Sequence, residues 1–545
     1  MRPFLAVALL IAAAPALRAD DKPEVKADKK AQQPAIVLRL KSLEGILADA
    51  KYLTKLADAE EQFKQAEEFL KTFSGDAGLG GIDMKRPFAL YGDISPGLQD
   101  SPVVLLVPIA DPKAFVSFLE GVNIKPEKGK DDVYTIDNIP GAPIPVTVYF
   151  RFANKYAYIT AMEKGNIAEK KLLKPEAVLP VAGDTSLASL TLRLEGFPDI
   201  LKQIVLTQIE SKLSEAKEQN PPNETPALKK LRHAMIDTVS EKIKSLLTDG
   251  EEATIKLGVD QKKEDISADF SFKAKKGSQL AKDMASVGKA SNLFSALTGD
   301  NTALRVVSAI ALPAEVRKVL GPAIDDAIKD AIAKETDPNK AKLMKATFDA
   351  FAPTLKAGEL DAGVAVVGPD KDGHMTIIGG AKVVKGKGIE DVVREIYKEV
   401  PENERKNIVL DATKVGDVNV HKIVIPETDE NAKKLLGESS AYVAIRDDMV
   451  LVAAGPDALK AIKDMLAAPA KSSSALLKVD LAVARAAQLD TKDPNAAKVA
   501  RDVFGKDPKG SDAVSVTVEM GESLKVSFNA KAKIITLGAK AQKDK

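Results

Sequence analysis

Two stretches of strict alternation, far apart in the chain, set the tightest limit on what it can fold into. Ile255, Leu257 and Val259 alternate with polar residues, and after a polar turn Ala268, Phe270, Phe272 and Ala274 alternate again. Near the C-terminus Val514, Val516 and Val518 are followed in the same manner by Leu524, Val526, Phe528 and Ala530. A period of two marks a strand with one face on a core and the other in water, so each stretch predicts a β-hairpin. The two also share local sequence: Ser271-Phe272-Lys273-Ala274-Lys275 parallels Ser527-Phe528-Asn529-Ala530-Lys531.

Upstream segments match in the same order. Phe88 to Gly92 corresponds to Val364 to Gly368, and Val103 to Pro108 with the helix through Phe115, Phe118 and Leu119 to Met375 to Ile378 with the helix through Val392, Val393 and Ile396. The arms Val146 to Phe152 and Tyr156 to Thr160 correspond to Ala441 to Ile445 and Met449 to Ala453, each followed by a short helix. Ser186 to Leu192 and Ser474 to Val479 then lead through further helix to the final hairpins. Order and alternation together predict an internal repeat.

The intervening segments have three-and-four apolar spacing, as in Leu43, Ile46, Leu47, Leu53 and Leu56, which predicts amphipathic helices. Ile200, Leu201, Ile204, Ile209 and Leu213 form another stripe, and Leu228, Leu231, Met235, Val239, Ile243 and Leu246 a third. Asp111-Pro112 supplies an N-cap and a first-turn proline, and Gly455-Pro456-Asp457 has similar punctuation. Strands and helices with one apolar face each predict an α+β fold: two tandem diverged copies of a mostly antiparallel twisted sheet, with helices packed on one face. The expected organisation is a signal peptide over 1–19, a flexible leader over 20–34, a first module over 35–298 and a second over 299–545.

The N-terminus predicts export. Arg2 precedes the uncharged run Phe4 to Ala14, Pro15 breaks it, and small residues at Ala16 and Ala19 offer cleavage points. A spanning helix needs roughly 20 apolar residues, more than this run holds. The mature chain is therefore expected to be soluble, without a membrane span, in the periplasm or outside the cell. Cysteine is absent, which excludes disulfides, zinc–thiolate centres, thiol nucleophiles and a lipidated N-terminal cysteine. A net charge of +1 lacks the basic excess that drives phosphate-backbone binding, so no nucleic-acid partner is expected. Aromatics are few and tryptophan is missing, which disfavours stacking on bases or sugars.

A search for chemistry returns no catalytic, cofactor or metal residues. The three histidines are His233, His374 and His421, with none of the close pairing that helical metal sites use. His233 is expected on the solvated side of its helix, His374 after a turn, and His421 in a strand over Val418 to Ile425. Ser214-Glu215-Ala216-Lys217 and Ser286-Val287-Gly288-Lys289 fit Ser-x-x-Lys, but the companion motifs of the serine enzymes that use it are missing. Gly386-Lys387-Gly388 fails as a phosphate loop, because Ala381 stands where glycine belongs and Gly388 where Ser or Thr belongs. It reads instead as the end of a strand and the start of a helix. Asp370-Lys371-Asp372-Gly373 opens like a calcium loop, yet lacks the later ligands and reads as a turn.

The strand, Asp-Pro and helix over Val103 to Glu120, the paired hairpins and the Lys/Ala-rich exported chain resemble uncharacterised secreted proteins of planctomycete-type bacteria. That resemblance implies a periplasmic or secreted location and transfers no active site. Three functions are compatible with these features. The first is an exported non-catalytic envelope protein with a binding or scaffolding role. The second is a carrier of an apolar ligand held between sheet and helices, and the third a hydrolase using carboxylates or an atypical Ser/Lys pair. The partner is an unknown protein or an apolar small molecule.

Overall fold

The computed structural model describes residues 33–543, apart from short stretches at 75–78, 98–100, 138–145, 181–182, 222–223, 288–290, 298–300, 426–429, 438–439, 473–474 and 490–493. The expected signal peptide, nearly all of the leader, Gly288-Lys289 and the 298/299 boundary lie outside the described residues. The chain divides into two compact units, Met1–Val205 with Gly250–Lys273, and Leu206–Asp249 with Ala274–Lys545.

The first unit contains β1 (Ile36–Leu40), β2 (Phe88–Gly92), β3 (Val103–Pro108), β4 (Glu127–Lys128), β5 (Tyr134–Ile136), β6 (Val148–Ala153), β7 (Tyr156–Ala161), β8 (Ser186–Arg193), β9 (Gly250–Asp260) and β10 (Asp265–Ala274). Hydrogen bonding orders them β10–β9–β8–β1–β2–β3–β7–β6–β5–β4, antiparallel at every step from β9 to β4.

The second unit holds β11 (Ser291–Asn292), β12 (Thr302–Ala311), β13 (Glu359–Val367), β14 (Thr376–Lys382), β15 (Ile408–Val415), β16 (Val418–Val424), β17 (Ser440–Arg446), β18 (Met449–Ala454), β19 (Lys471–Ser472), β20 (Ala475–Ala482), β21 (Ala513–Met520) and β22 (Ser523–Lys531). Its sheet runs β22–β21–β20–β12–β13–β14–β18–β17–β16–β15, all antiparallel, while β11 and β19 form a separate short pair. The α+β class and the antiparallel sheet agree with the sequence reading. The central strands β1 and β12 were missed by it: IVLRL is short and follows a polar leader, and TALRVVSAIA runs almost directly into the helix Ala314–Lys334.

The expectation that helices cover one face is corrected. In the first unit Phe115 of the helix Pro112–Gly121 packs with Val107, Phe150 and Ala157. Tyr158 packs instead with Leu106, Ile167 and Val178. Ala157 and Tyr158 are neighbours in one strand and point to opposite faces, so both faces are covered. In the second unit Ile389 and Val392 of the helix Gly386–Glu399 meet Ile445. Ala444, its neighbour, belongs with Ile462 and Met465 of the helix Ala458–Ala467. The reason lies in the inner strands, since YAYITA and MVLVAA lack the polar alternate positions of a half-solvated strand. Each fully buried large side chain here contributes about 2–3 kcal/mol.

The alternating hairpins are less covered than their pattern implied. Val259, Phe272 and Ala274 are buried, but Ile255 and Leu257 are each 47% exposed and Phe528 is also open. The helices Asp199–Glu218 and Pro226–Asp249 likewise leave Ile200, Ile204, Leu228, Met235 and Val239 exposed, against the core role their spacing predicted. Apolar spacing reports which residues share a face, and only the surrounding fold decides whether that face is met.

Local chemistry sets several ends. Asp111 accepts from the backbone N–H of Lys113 at 2.8 Å and Ala114 at 3.2 Å, ahead of Pro112, as expected of an N-cap. Asp457 precedes its helix but makes no side-chain cap; its backbone N–H goes to Thr376 Oγ1 at 3.0 Å. Between β11 and β12, Phe294 and Leu297 plug the core of the second unit. Gly363 and Gly380 admit them, since an added Cβ would lie 2.6 Å from Leu297 and 2.5 Å from Phe294 respectively.

Candidate functional site

The ionisable groups that converge most closely in the second unit lie between one helix and one hairpin. The helix Gly386–Glu399 starts against the sheet, where a Cβ on Gly386 would stand 2.0 Å from the carbonyl oxygen of Arg446. Ile389 and Val392 hold its inner face. Glu390 and Arg394, four residues apart, therefore project together, and Arg394 Nη2 donates to Glu390 Oε1 at 2.6 Å.

The hairpin contributes through an irregularity. Val409 pairs with Lys422 and Thr413 with Val420, so Leu410, Asp411 and Ala412 together face the single residue His421. This bulge holds Asp411 at φ +52, a left-handed geometry that aspartate tolerates better than most residues. Arg394 grips the Asp411 carboxylate with both terminal nitrogens, at 2.9 and 2.7 Å. Asn419 Nδ2 donates to Glu390 Oε1 at 3.2 Å.

His421 is 2% exposed and lies on the helix side, opposite Val443 in the register. Its Nδ1 accepts from the backbone N–H of Asp411 at 3.1 Å. Its Nε2 is buried without a hydrogen-bond partner, 3.9 Å from Glu390 Oε1. Burial pushes the His421 pKa down, helped by Arg394, against the raising effect of Asp411 and Glu390. Burial pushes Glu390 up, but bonds from Arg394 and Asn419 outweigh it and leave its carboxyl below the usual value. The Arg394 hydrogen bond likewise lowers Asp411, and both carboxylates raise Arg394.

Glu390, Asp411 and His421 each offer an atom within 4.8 Å of the others, which by distance alone suits a metal ion. Hydrogen bonding argues otherwise. A neutral imidazole has one lone pair, and here it sits on Nδ1 facing the Asp411 N–H. The proton must then reside on Nε2, which leaves that atom nothing to give a metal, whereas ligating histidines donate from their second nitrogen. Arg394 also lies across both carboxylates. The arrangement fits a clamp between helix and hairpin.

The remaining sequence candidates stay apart from it. His233 is partly buried, not solvated as expected, with Nε2 3.1 Å from the Lys217 carbonyl oxygen. His374 follows a turn in which Asp370 Oδ1 accepts from the N–H groups of Asp372 at 2.9 Å and His374 at 2.8 Å. Ser214 is exposed, and its partner Lys217 pairs with Asp237. Ser286 Oγ donates to the Asp283 carbonyl oxygen at 2.7 Å. Gly386-Lys387-Gly388 opens a helix, as read from the sequence. Sequence reasoning missed Glu390, Arg394 and Asp411. The i,i+4 spacing of Glu390 and Arg394 was the available signal, whereas the bulge that delivers Asp411 had none.

Comparison with known proteins found no matching family model, no matching curated protein and no matching solved structure.

Proposed function

We propose that the chain is an exported, non-catalytic envelope protein with a binding or scaffolding role, built from two diverged copies of one module. The observation that carries the reading is the use made of its convergent ionisable groups. Glu390, Arg394, Asp411 and His421 spend their hydrogen bonds mainly on one another and on the backbone.

Support for two copies comes from strand order. Reading β1 with β12, β2 with β13, β3 with β14, β4 and β5 with β15 and β16, β6 and β7 with β17 and β18, β8 with β20, and β9 and β10 with β21 and β22, the two sheets have one connectivity. A helix pair follows the first strand in each case, and the third is followed by Pro112–Gly121 in one unit and by Gly386–Glu399 with the short Glu402–Arg405 in the other. Support for a binding role comes from apolar side chains presented on open strands and helices, including Ile255, Leu257, Met235 and Val239. No helix among the described residues is long and apolar enough to cross a membrane.

Native mass spectrometry of the protein isolated from its source tests this. The expected species begins at Leu17 or Asp20, the residues that follow the two cleavage points, and carries a stoichiometric partner. A retained N-terminus would overturn export, and turnover abolished by His421→Phe in a broad substrate screen would overturn the non-catalytic role.

A further inference from the structure

We infer that Arg39 in the first unit anchors a binding site for a carboxylate-bearing ligand, with Ser189 beside it. The inference rests on the equivalence of the two units proposed above. β1 and β12 each carry a Leu-Arg step, Leu38-Arg39 and Leu304-Arg305. The registers coincide as well: Arg39 stands opposite Ala89 and Arg305 opposite Ala365. On the other side Arg305 faces Asp480, and Arg39 faces Ser189. One strand further, Asp480 faces Ser515, and Ser189 faces Lys256.

In the second unit the arginine is neutralised within its own row. Arg305 Nε donates to Asp480 Oδ2 at 2.7 Å, and Nη2 reaches the same oxygen. In the first unit the row Arg39–Ser189–Lys256 has no acid of its own, and Lys256 finds its carboxylate outside the row in Asp184. Among the described residues Arg39 makes one hydrogen bond, from Nη1 to Thr191 Oγ1 at 3.0 Å, and has no carboxylate at ion-pair distance. The nearby acids are engaged elsewhere, Glu252 with Arg193 at 3.5 Å and Asp184 with Lys256 at 3.2 Å.

A guanidinium in such surroundings is costly to hold without a counter-charge. Partial burial lowers the Arg39 pKa, and Arg193 adds to the effect, against the raising influence of Glu252 and Asp184, neither of which lies at ion-pair distance from it. The surface under it is polar: Ser189, Thr191 and Thr254 are each more than nine-tenths buried, and Thr254 Oγ1 donates to Thr191 Oγ1 at 3.3 Å. Ser189 holds the register position that Asp480 holds in the other unit, and its hydroxyl makes no hydrogen bond among the described residues. Arginine's planar fork matches a carboxylate in two parallel bonds. Lys256, on an exposed position of β9, is already paired with Asp184, which leaves Arg39 as the cation of this row without a carboxylate at ion-pair distance.

The test uses the full chain with acetate as probe and chloride at equal ionic strength as control. Acetate is expected to slow hydrogen exchange in β1 and β8 and to raise Tm, with phosphate weaker than acetate. Arg39→Gln should weaken the acetate response by about tenfold or more, the usual worth of a charge-assisted bond. Ser189→Asp imitates the second unit, and should raise Tm without acetate and abolish the acetate response. Acetate acting no better than chloride on the unaltered chain overturns the site, even where Ser189→Asp raises Tm, a result that would keep the equivalence of the units. A response that survives in both variants overturns it as well.

Discussion

The same structural task is solved with different chemistry in the two units. In each, a helix that follows the third strand must be held against strands that come after it in the chain. In the first unit the helix Pro112–Gly121 is held by rings. Phe115 lies edge-on to Phe150 and Phe152, each at 5.9 Å, and Tyr134 stacks on Phe150 at 4.8 Å. In the second unit the helix Gly386–Glu399 is held to β15 and β16 by Glu390, Arg394, Asp411 and His421 in addition to its apolar face. Ring packing is indifferent to pH and salt, whereas a half-buried ionic clamp depends on both. A shared topology therefore does not imply a shared response to the environment.

The largest effect expected from this contrast is in the ring cluster. Phe150→Ala removes a side chain that is 1% exposed and should cost about 3–5 kcal/mol, read by denaturant unfolding. A loss under about 1 kcal/mol would mean that the rings do not hold the helix. Next comes Arg394→Ala, which leaves two carboxylates facing each other. Because Arg394 and Asp411 are partly exposed, solvent screening reduces the cost to about 1 kcal/mol. Hydrogen exchange should localise this loss to β15 and β16 and leave β6 and β7 unchanged.

Acidification should separate the units without mutation. His421 has a lowered folded pKa, so the unfolded chain binds its proton first, and stability falls as pH drops below about 6.5. Glu390 and Asp411 are also lowered, so their contribution is present above the ordinary carboxylate pKa of about 4 and is lost as pH falls through the folded values. Both act in one direction. Protection against exchange, corrected for the pH dependence of the intrinsic rate, should fall in 408–424 from pH 7.5 to 5 while that of 148–161 stays constant; equal change in both segments would break the contrast. His421→Phe should remove the step near neutrality and keep the acid one. The smallest effect is salt: 1 M sodium chloride should weaken the clamp by a few tenths of a kcal/mol, about the scale of a screened surface pair, and spare the ring cluster.

Legibility in the sequence differed in the same way. Phe115, Phe150 and Phe152 stand at positions whose apolar spacing assigned them to one helix and one hairpin arm. Their meeting follows once the elements are known. Of the clamp, only His421 was singled out, as a strand residue, which is its place in β16. Its partner Asp411 enters through a bulge, and a bulge shifts register without a mark in the residue pattern.

What the sequence determined by itself was the type of each long element and the grouping of side chains by face, because periods of two and of three to four are local properties of backbone geometry. The α+β class and antiparallel pairing followed from those periods. Whether a face is covered was decided only in three dimensions. Ile255 and Met235 stay open although their spacing is that of core residues, and Ala157 and Tyr158 are buried on both sides of one strand. Burial and charge pairing depend on what long-range packing brings near, and short-range periodicity has no information about that partner.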